Sequence, residues 1–259
     1  MARKIVVTSG KGGVGKTTVT ACLGCRLASM GLKVALLDLD IGLNNLDVIL
    51  NIENRVIFDI VDVIEGRCRV KQALIQDSDI PSLYVMPSCH SERRSVTAQS
   101  IKLIVNRMNE LFDYILIDCP AGVDIGFHRS VVCADEAIVV TTPHLSSMRD
   151  SSKVVSILGS YRLNEIYSVI NRVRGDLTLD GDMADPEDIF RMLDVKPLGI
   201  VPEDDSVSFS ELKSIKGSAG SAYSILADNL HNGKNIMFDY CSRYKGFFGR
   251  LRRNLKRNA

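Results

Sequence analysis

One octapeptide constrains this chain more than any other feature. Gly10 to Thr17 read G-K-G-G-V-G-K-T, directly after an apolar, β-branched run, Lys4 to Thr8 (KIVVT). The spacing G-x-x-x-x-G-K-[ST] between a strand and a helix is that of a phosphate-binding loop. Glycines let the backbone curl so that successive N–H groups point at phosphate oxygens. The positive end of a helix starting near Lys16 adds to them. In this pattern Gly12, Gly13, Val14 and Gly15 form the cradle. Lys16 reaches the β and γ phosphates, and the Thr17 hydroxyl ligates Mg2+. Thr18 is placed to bond an α-phosphate oxygen. A chance glycine-rich turn would not bring the strand, the eight-residue pattern and the helix together.

The rest of the chain supplies the architecture such a loop needs. Apolar runs at Lys33–Asp38, Leu83–Met86, Tyr114–Asp118, Ala137–Thr142, Ile166–Asn171 and Leu198–Val201 read as further strands. Helical patterns cover Val19–Met30, Ser100–Leu111, Ser147–Ser160 and Pro186–Leu193. Continuous rather than alternating apolar strands imply burial on both faces. Their alternation with helices implies an α/β fold with a mostly parallel central sheet flanked by helices on both faces, as in P-loop NTPases. A length of 259 residues, 46% of them hydrophobic, suits one such domain and is short for two.

A phosphate loop needs an acid to hold its metal. Asp118 closes the run YILID and precedes Cys119-Pro120-Ala121-Gly122. A carboxylate there reaches Mg2+ through water; a strand-end cap is the competing reading. Asp38 and Asp40 end the second strand in L-D-L-D-I-G. Alternation points both towards the C-terminal edge of the sheet, where ligands of α/β folds bind. Adjacent carboxylates also serve as a turn signal, and that alternative stays open.

Lys11 is not required by the phosphate loop itself. With it, K-G-G-V-G-K-T-T resembles the deviant Walker A family, which includes MinD, the ParA-type partition ATPases and the nitrogenase iron protein. The MinD branch is the nearer resemblance. It is carried by Asp38–Leu50 (DLDIGLNNLDVIL), Phe58–Gly66 (FDIVDVIEG), Gln72–Ile75, Asp118–Gly122, Val140–Pro143, Ser146–Asp150 (SSMRD), Val201–Asp204, Ser206 and Val207. The resemblance implies an ATPase using ATP and Mg2+, with Lys11, Lys16 and Asp40 as its catalytic set. Lys11 would cross a dimer interface to the partner's nucleotide, and Asp40 would orient the attacking water. Asp38 would support a metal site made with Thr17 and Asp118, and the Gly122 N–H would sense the γ-phosphate. Asn171, Arg172 and Pro202 would frame adenine, although a turn-forming Asn171 competes with that role. The implied partners are a second copy when ATP is bound, a MinC-like division inhibitor and, where the cell has one, a MinE-like activator. A ParA-like DNA-partition ATPase and a relative that regulates flagellar number are the alternatives.

The C-terminus adds evidence independent of any motif. Net charge is only +1, so a uniformly basic nucleic-acid binder is not indicated, yet from Arg243 onward there are seven Lys or Arg and no acid. At roughly 100° per residue, Phe247, Phe248, Leu251 and Leu255 share one helical face, with Lys245, Arg250, Arg253, Lys256 and Arg257 around the rest. Such a helix lies in a membrane surface, its cations meeting anionic lipid. A basic tail that binds nucleic acid or packs on its own domain is the competing reading. The expected organisation is an ATPase domain at 1–231, a linker at 232–243 and an amphipathic membrane-targeting tail at 244–259. With no apolar run near the roughly 20 residues of a spanning helix, and no signal peptide, a cytoplasmic protein peripheral on the inner membrane face is expected. Seven scattered cysteines suit a reducing compartment. Cys22 and Cys25 form a C-x-x-C in the helix after the phosphate loop, where one or both thiols pack against the sheet; a redox or metal pair is the alternative.

Overall fold

The computed structural model describes residues 1–42, 45–89, 95–205, 207 and 212–246. Strands β1 (Arg3–Thr8), β2 (Val34–Asp38), β3 (Ile75–Gln76), β4 (Leu83–Met86), β5 (Tyr114–Asp118), β6 (Glu136–Thr141), β7 (Glu165–Val173) and β8 (Lys196–Pro202) build one sheet. Their order is β3-β4-β2-β5-β1-β6-β7-β8. All neighbours run parallel except β3 and β4. The sequence reading of a mostly parallel sheet holds, and β3, too short to show a pattern, adds the antiparallel edge.

Helices fill the crossovers: α1 (Lys16–Ser29), α2 (Asn45–Ile49), α3 (Ile60–Ile64), α4 (Val70–Ala73), α5 (Ala98–Met108), α6 (Ile125–Val131), α7 (Leu145–Leu158), α8 (Gly175–Asp180), α9 (Pro186–Leu193) and α10 (Gly217–Asn232). The two faces of β1 show why its run is continuously apolar. Ile5 and Val7 face one core with residues of α1 and α10. Val6 faces the other, with residues of α5, α6 and α7. All three are fully buried. A smaller cluster joins Ile189, Phe190 and Leu193 of α9 to Ile170, Val173 and Ile200.

The stretch after α10 is irregular, as its composition implies, but it is not loose. The buried Asn229 side chain donates to the Ile236 carbonyl (2.7 Å) and accepts from the Ile236 N–H (3.1 Å). Met237 and Tyr240 pack on the α9 cluster, and Cys241 is buried. Residues 233–246 therefore form a strap laid along the domain. Lys245 is exposed on it. Phe247, Phe248, Arg250, Leu251 and Leu255 lie outside the described residues. Among the described residues, no helix is long and apolar enough to cross a membrane.

Candidate nucleotide site

The loop between β1 and α1 sits at the C-terminal edge of the sheet, where burial of β1 on both faces fixes its start. Gly15 is the N-cap of α1 in the left-handed region (φ +91°), and no side chain caps the helix. Its first N–H groups therefore face outward over the loop. A Cβ on Gly15 would come within 2.4 Å of Asn171 Nδ2, so the position excludes other residues twice over, by backbone and by space. A Cβ on Gly10 would meet the Asp150 carbonyl at 2.4 Å, which is how closely the loop lies on α7. Gly12, Gly13, Lys16, Thr17, Thr18 and Asp40 line a cavity of about 350 Å3. The motifs thus bring the expected loop residues and Asp40 to one place. Ser9, Ala121, and Asn45 and Ile49 of α2 also line it; nothing in their residue types announces this.

At the floor, Lys16 Nζ lies 3.0 Å from Asp118 Oδ1, with side-chain exposures of 7% and 0%. Thr20 Oγ1 donates to the same oxygen at 3.3 Å. Asp118 Oδ2 is buried and has no hydrogen-bond partner among the described residues. Pairing of β1 with β5 sets Asp118 opposite Val7, which puts it beneath the loop. Pairing of β2 with β5 sets Asp38 opposite Asp118. Burial, then the neighbouring Asp118 charge, pushes the Asp38 carboxyl up to about 7. Asp38 accepts from the Asp40 N–H (2.9 Å) and the Leu46 N–H (3.2 Å), so it holds the loop that carries Asp40 and does not line the cavity. Burial also raises Asp40, against the pull of Lys16, with Asp118 pushing further up.

Three other site residues have partners that the sequence did not suggest. Asn171 is 5% exposed and donates from Nδ2 to the Val14 carbonyl at 2.8 Å, bracing the phosphate loop. The ladder between β7 and β8 shifts register between Ile170 and Val173, and a bulge of this kind re-aims side chains. Arg172 sits there at φ +58°, a left-handed backbone uncommon outside glycine. A second cavity, about 250 Å3, is lined by Gly15, Thr18, Asn171, Arg172, Pro202 and Glu203. The Gly122 N–H donates to the Ser9 carbonyl at 3.2 Å. Lys11 Nζ donates to Ser146 Oγ at 3.3 Å, so this exposed lysine leans towards the start of α7.

Cys22 and Cys25 both belong to the core under α1. Burial raises both thiols, Cys25 to about 12, which keeps them protonated. The packing reading holds for this pair.

Comparison with known proteins agrees with this geometry. A family model described as an AAA domain matches residues 2–168. A putative septum site-determining protein MinD from Guillardia theta is 42% identical, over 98% of this chain and 97% of its own. The chain belongs to the MinD family. A chain of a MinC:MinD cell division protein complex from Aquifex aeolicus superposes with a TM-score of 0.83 at 38% identity, covering 91% of this chain and 98% of its own. A Pyrococcus horikoshii MinD complexed with Mg-ADP superposes with a TM-score of 0.79 at 28% identity, covering 89% and 96%. Membership makes the chain a P-loop ATPase of the MinD and ParA kind, and the relatives support the septum-site reading over DNA partition. Nucleotide with magnesium fits the residues present. The cradle opens onto an uncapped helix start, and Asp118 Oδ2, buried and without a partner among the described residues, is an acceptor fit for a metal-bound water.

Proposed function

We propose that this chain is a membrane-associated ATPase that dimerises on binding ATP and positions the division septum by bringing a division inhibitor to the membrane. The observation that carries the catalytic half is the buried Lys16–Asp118 pair beneath the glycine cradle. When bound, Mg2+ supplies charge neutralisation at the transferring phosphoryl group. Thr17 and Asp118 would hold it, with Asp38 fixing the loop behind them. Lys16 would leave Asp118 for the phosphates, exchanging one anion for another. Asp40, half-buried at the cavity wall, would orient water, and its raised carboxyl favours taking up a proton. Arg172 and Pro202 would border the base in the second cavity, with Asn171 beside them.

Lys11 supports a shared site. It is exposed at the mouth of its own cavity and, among the described residues, is held by Ser146. A second copy facing this edge would receive that cation near its own phosphates, where it would act as an arginine finger does. Its departure from Ser146 would also free the start of α7, the segment S-S-M-R-D, for a regulator. The Aquifex aeolicus relative was solved with MinC; a MinC-like partner, and a MinE-like activator where one exists, would use this region.

The tail supplies the membrane half. Four apolar side chains beside six cations give weak, reversible attachment to anionic lipid. A dimer carries two tails, and the second insertion becomes effectively intramolecular. Co-sedimentation with anionic vesicles tests this reading. Binding should require ATP and be lost in Phe247→Glu; binding indifferent to both would refute it.

A further inference from the structure

We propose that the outer surface of α8 and α9 is a seat for the chain's own basic tail, residues 247–259. The proposal rests on the reading of that tail as the lipid-binding element.

The strap determines where the tail begins. Asn229 fixes Ile236, and Tyr240 lies over Gly175, where a Cβ would come within 2.1 Å of the Tyr240 carbonyl oxygen. Only glycine permits that approach at the start of α8. Further on, Arg243 Nη1 donates to Ser218 Oγ (3.2 Å), and Ser218 Oγ donates to Asp204 Oδ2 (2.8 Å). The chain thus reaches Gly246 already tied to the domain beside α8. Tyr240 packs on the α9 cluster, and burial, then neighbouring Asp185, Cys241 and Glu187, raise its hydroxyl.

The surface it reaches is the electrostatic complement of the tail. Of the six acids from Gly175 to Asp188, Asp176 is buried beside Arg174 and Asp188 pairs with Arg191, while Asp180, Asp182, Asp185 and Glu187 are exposed. From Phe247 to the end the tail carries five Lys or Arg and no acid. Apolar contact is also on offer, since Leu179 of α8 and Met192 of α9 are 39% and 43% exposed. As a helix the 13 tail residues would span about 20 Å. Seated here, the tail's apolar side chains are covered and its cations paired, so the seat competes with lipid for the same residues. The Arg243–Ser218–Asp204 chain also ends at the loop after Pro202, beside the second cavity. Nucleotide occupancy therefore has a route to the tail within one copy.

The test uses the full chain without lipid. Trypsin release of the tail is compared between the wild type and Asp182→Asn/Glu187→Gln/Asp188→Asn, three exposed changes remote from the nucleotide cavity. At low salt the variant should release its tail about threefold faster, and about 0.5 M salt should close the gap. Equal rates at low salt would overturn the seat. Carbodiimide coupling in the wild type is the second measurement, immune to misfolding of the variant. Lys256 should couple to carboxylates between Asp176 and Asp188; coupling confined to other parts of the domain would overturn it. With anionic vesicles and no nucleotide, the variant should bind more than the wild type. A wild type that ignores vesicles even with ATP would sink the membrane reading, while the release and coupling results still decide the seat.

Discussion

The Lys16 ammonium is held 3.0 Å from a carboxylate oxygen of Asp118, a residue 102 positions away and wholly shielded from water. Both groups the site needs for phosphate and metal are thus occupied with each other. Breaking such a pair from one side leaves a buried charge uncompensated, at a cost on the order of 3 kcal/mol. Lys16→Met should therefore destabilise the nucleotide-free domain as well as abolish hydrolysis. Lys16→Met/Asp118→Asn should lose less stability than the two single changes summed. Urea unfolding of the four proteins measures the coupling; simple additivity would show that the pair does not hold the apo site.

Lys11 gives a contrasting expectation, because its contact with Ser146 is exposed and long, at 3.3 Å. Lys11→Ala should leave ADP affinity of the monomer within about threefold, since Lys16 and the backbone cradle remain. Hydrolysis should fall by about 10^3, the scale of a lost in-trans cation. Calorimetry with ADP, sedimentation with ATP and phosphate release separate the outcomes. Dimerisation and turnover at wild-type levels would remove the shared-site role.

Asn171 braces the loop that holds phosphate. Asn171→Ala should cost about 1 kcal/mol of stability and lower nucleotide affinity by about tenfold, as the Val14 carbonyl loses its donor. Asn171→Asp should be worse, because it sets an oxygen against that carbonyl. If Asn171 only contacts the base, both variants should keep full affinity for inorganic triphosphate and lose it for ATP alone.

What could be read from the sequence follows from where the residues sit. KIVVT and YILID are central parallel strands buried on both faces, so their apolar runs were visible without any partner. The loop from Gly10 to Thr17 is local, and so was legible whole. Lys16–Asp118 depends on the β1–β5 pairing, which no local pattern encodes. The brace from Asn171 depends on a register shift in β7. Helix α10 opens G-S-A-G-S-A, a composition that reads as a turn; its packing against α1 and the sheet makes it a helix. The strap after it reads as a linker because its first residues, N-G-K-N, are polar. Its anchors, Ile236, Met237 and Tyr240, are spaced too irregularly to show a period.

A second buried pair gives the pH dependence. Lys213 Nζ lies 2.7 Å from Asp77 Oδ2, with side-chain exposures of 12% and 0%. Burial alone would raise the Asp77 carboxyl. The Lys213 ammonium and the N–H groups of Asp79 and Ile80 outweigh it and hold Asp77 below its usual value. Lys213 is lowered by burial but raised on balance by Asp77 and Asp79. The signs follow by linkage. Asp77 contributes stability above the unfolded carboxylate range, near 4, and loses it as pH falls through its depressed folded value. Lys213 contributes below the unfolded lysine value, near 10.4, and loses it as pH rises through its raised one. Lys213→Met should therefore cost about 3 kcal/mol at pH 7, the penalty of an unpaired buried carboxylate. As pH is lowered from 7 to 3, below the unfolded carboxylate value, the gap between wild type and variant should narrow. A gap unchanged between the two pH values would mean that Lys213 stabilises this corner by packing its methylenes rather than by charge.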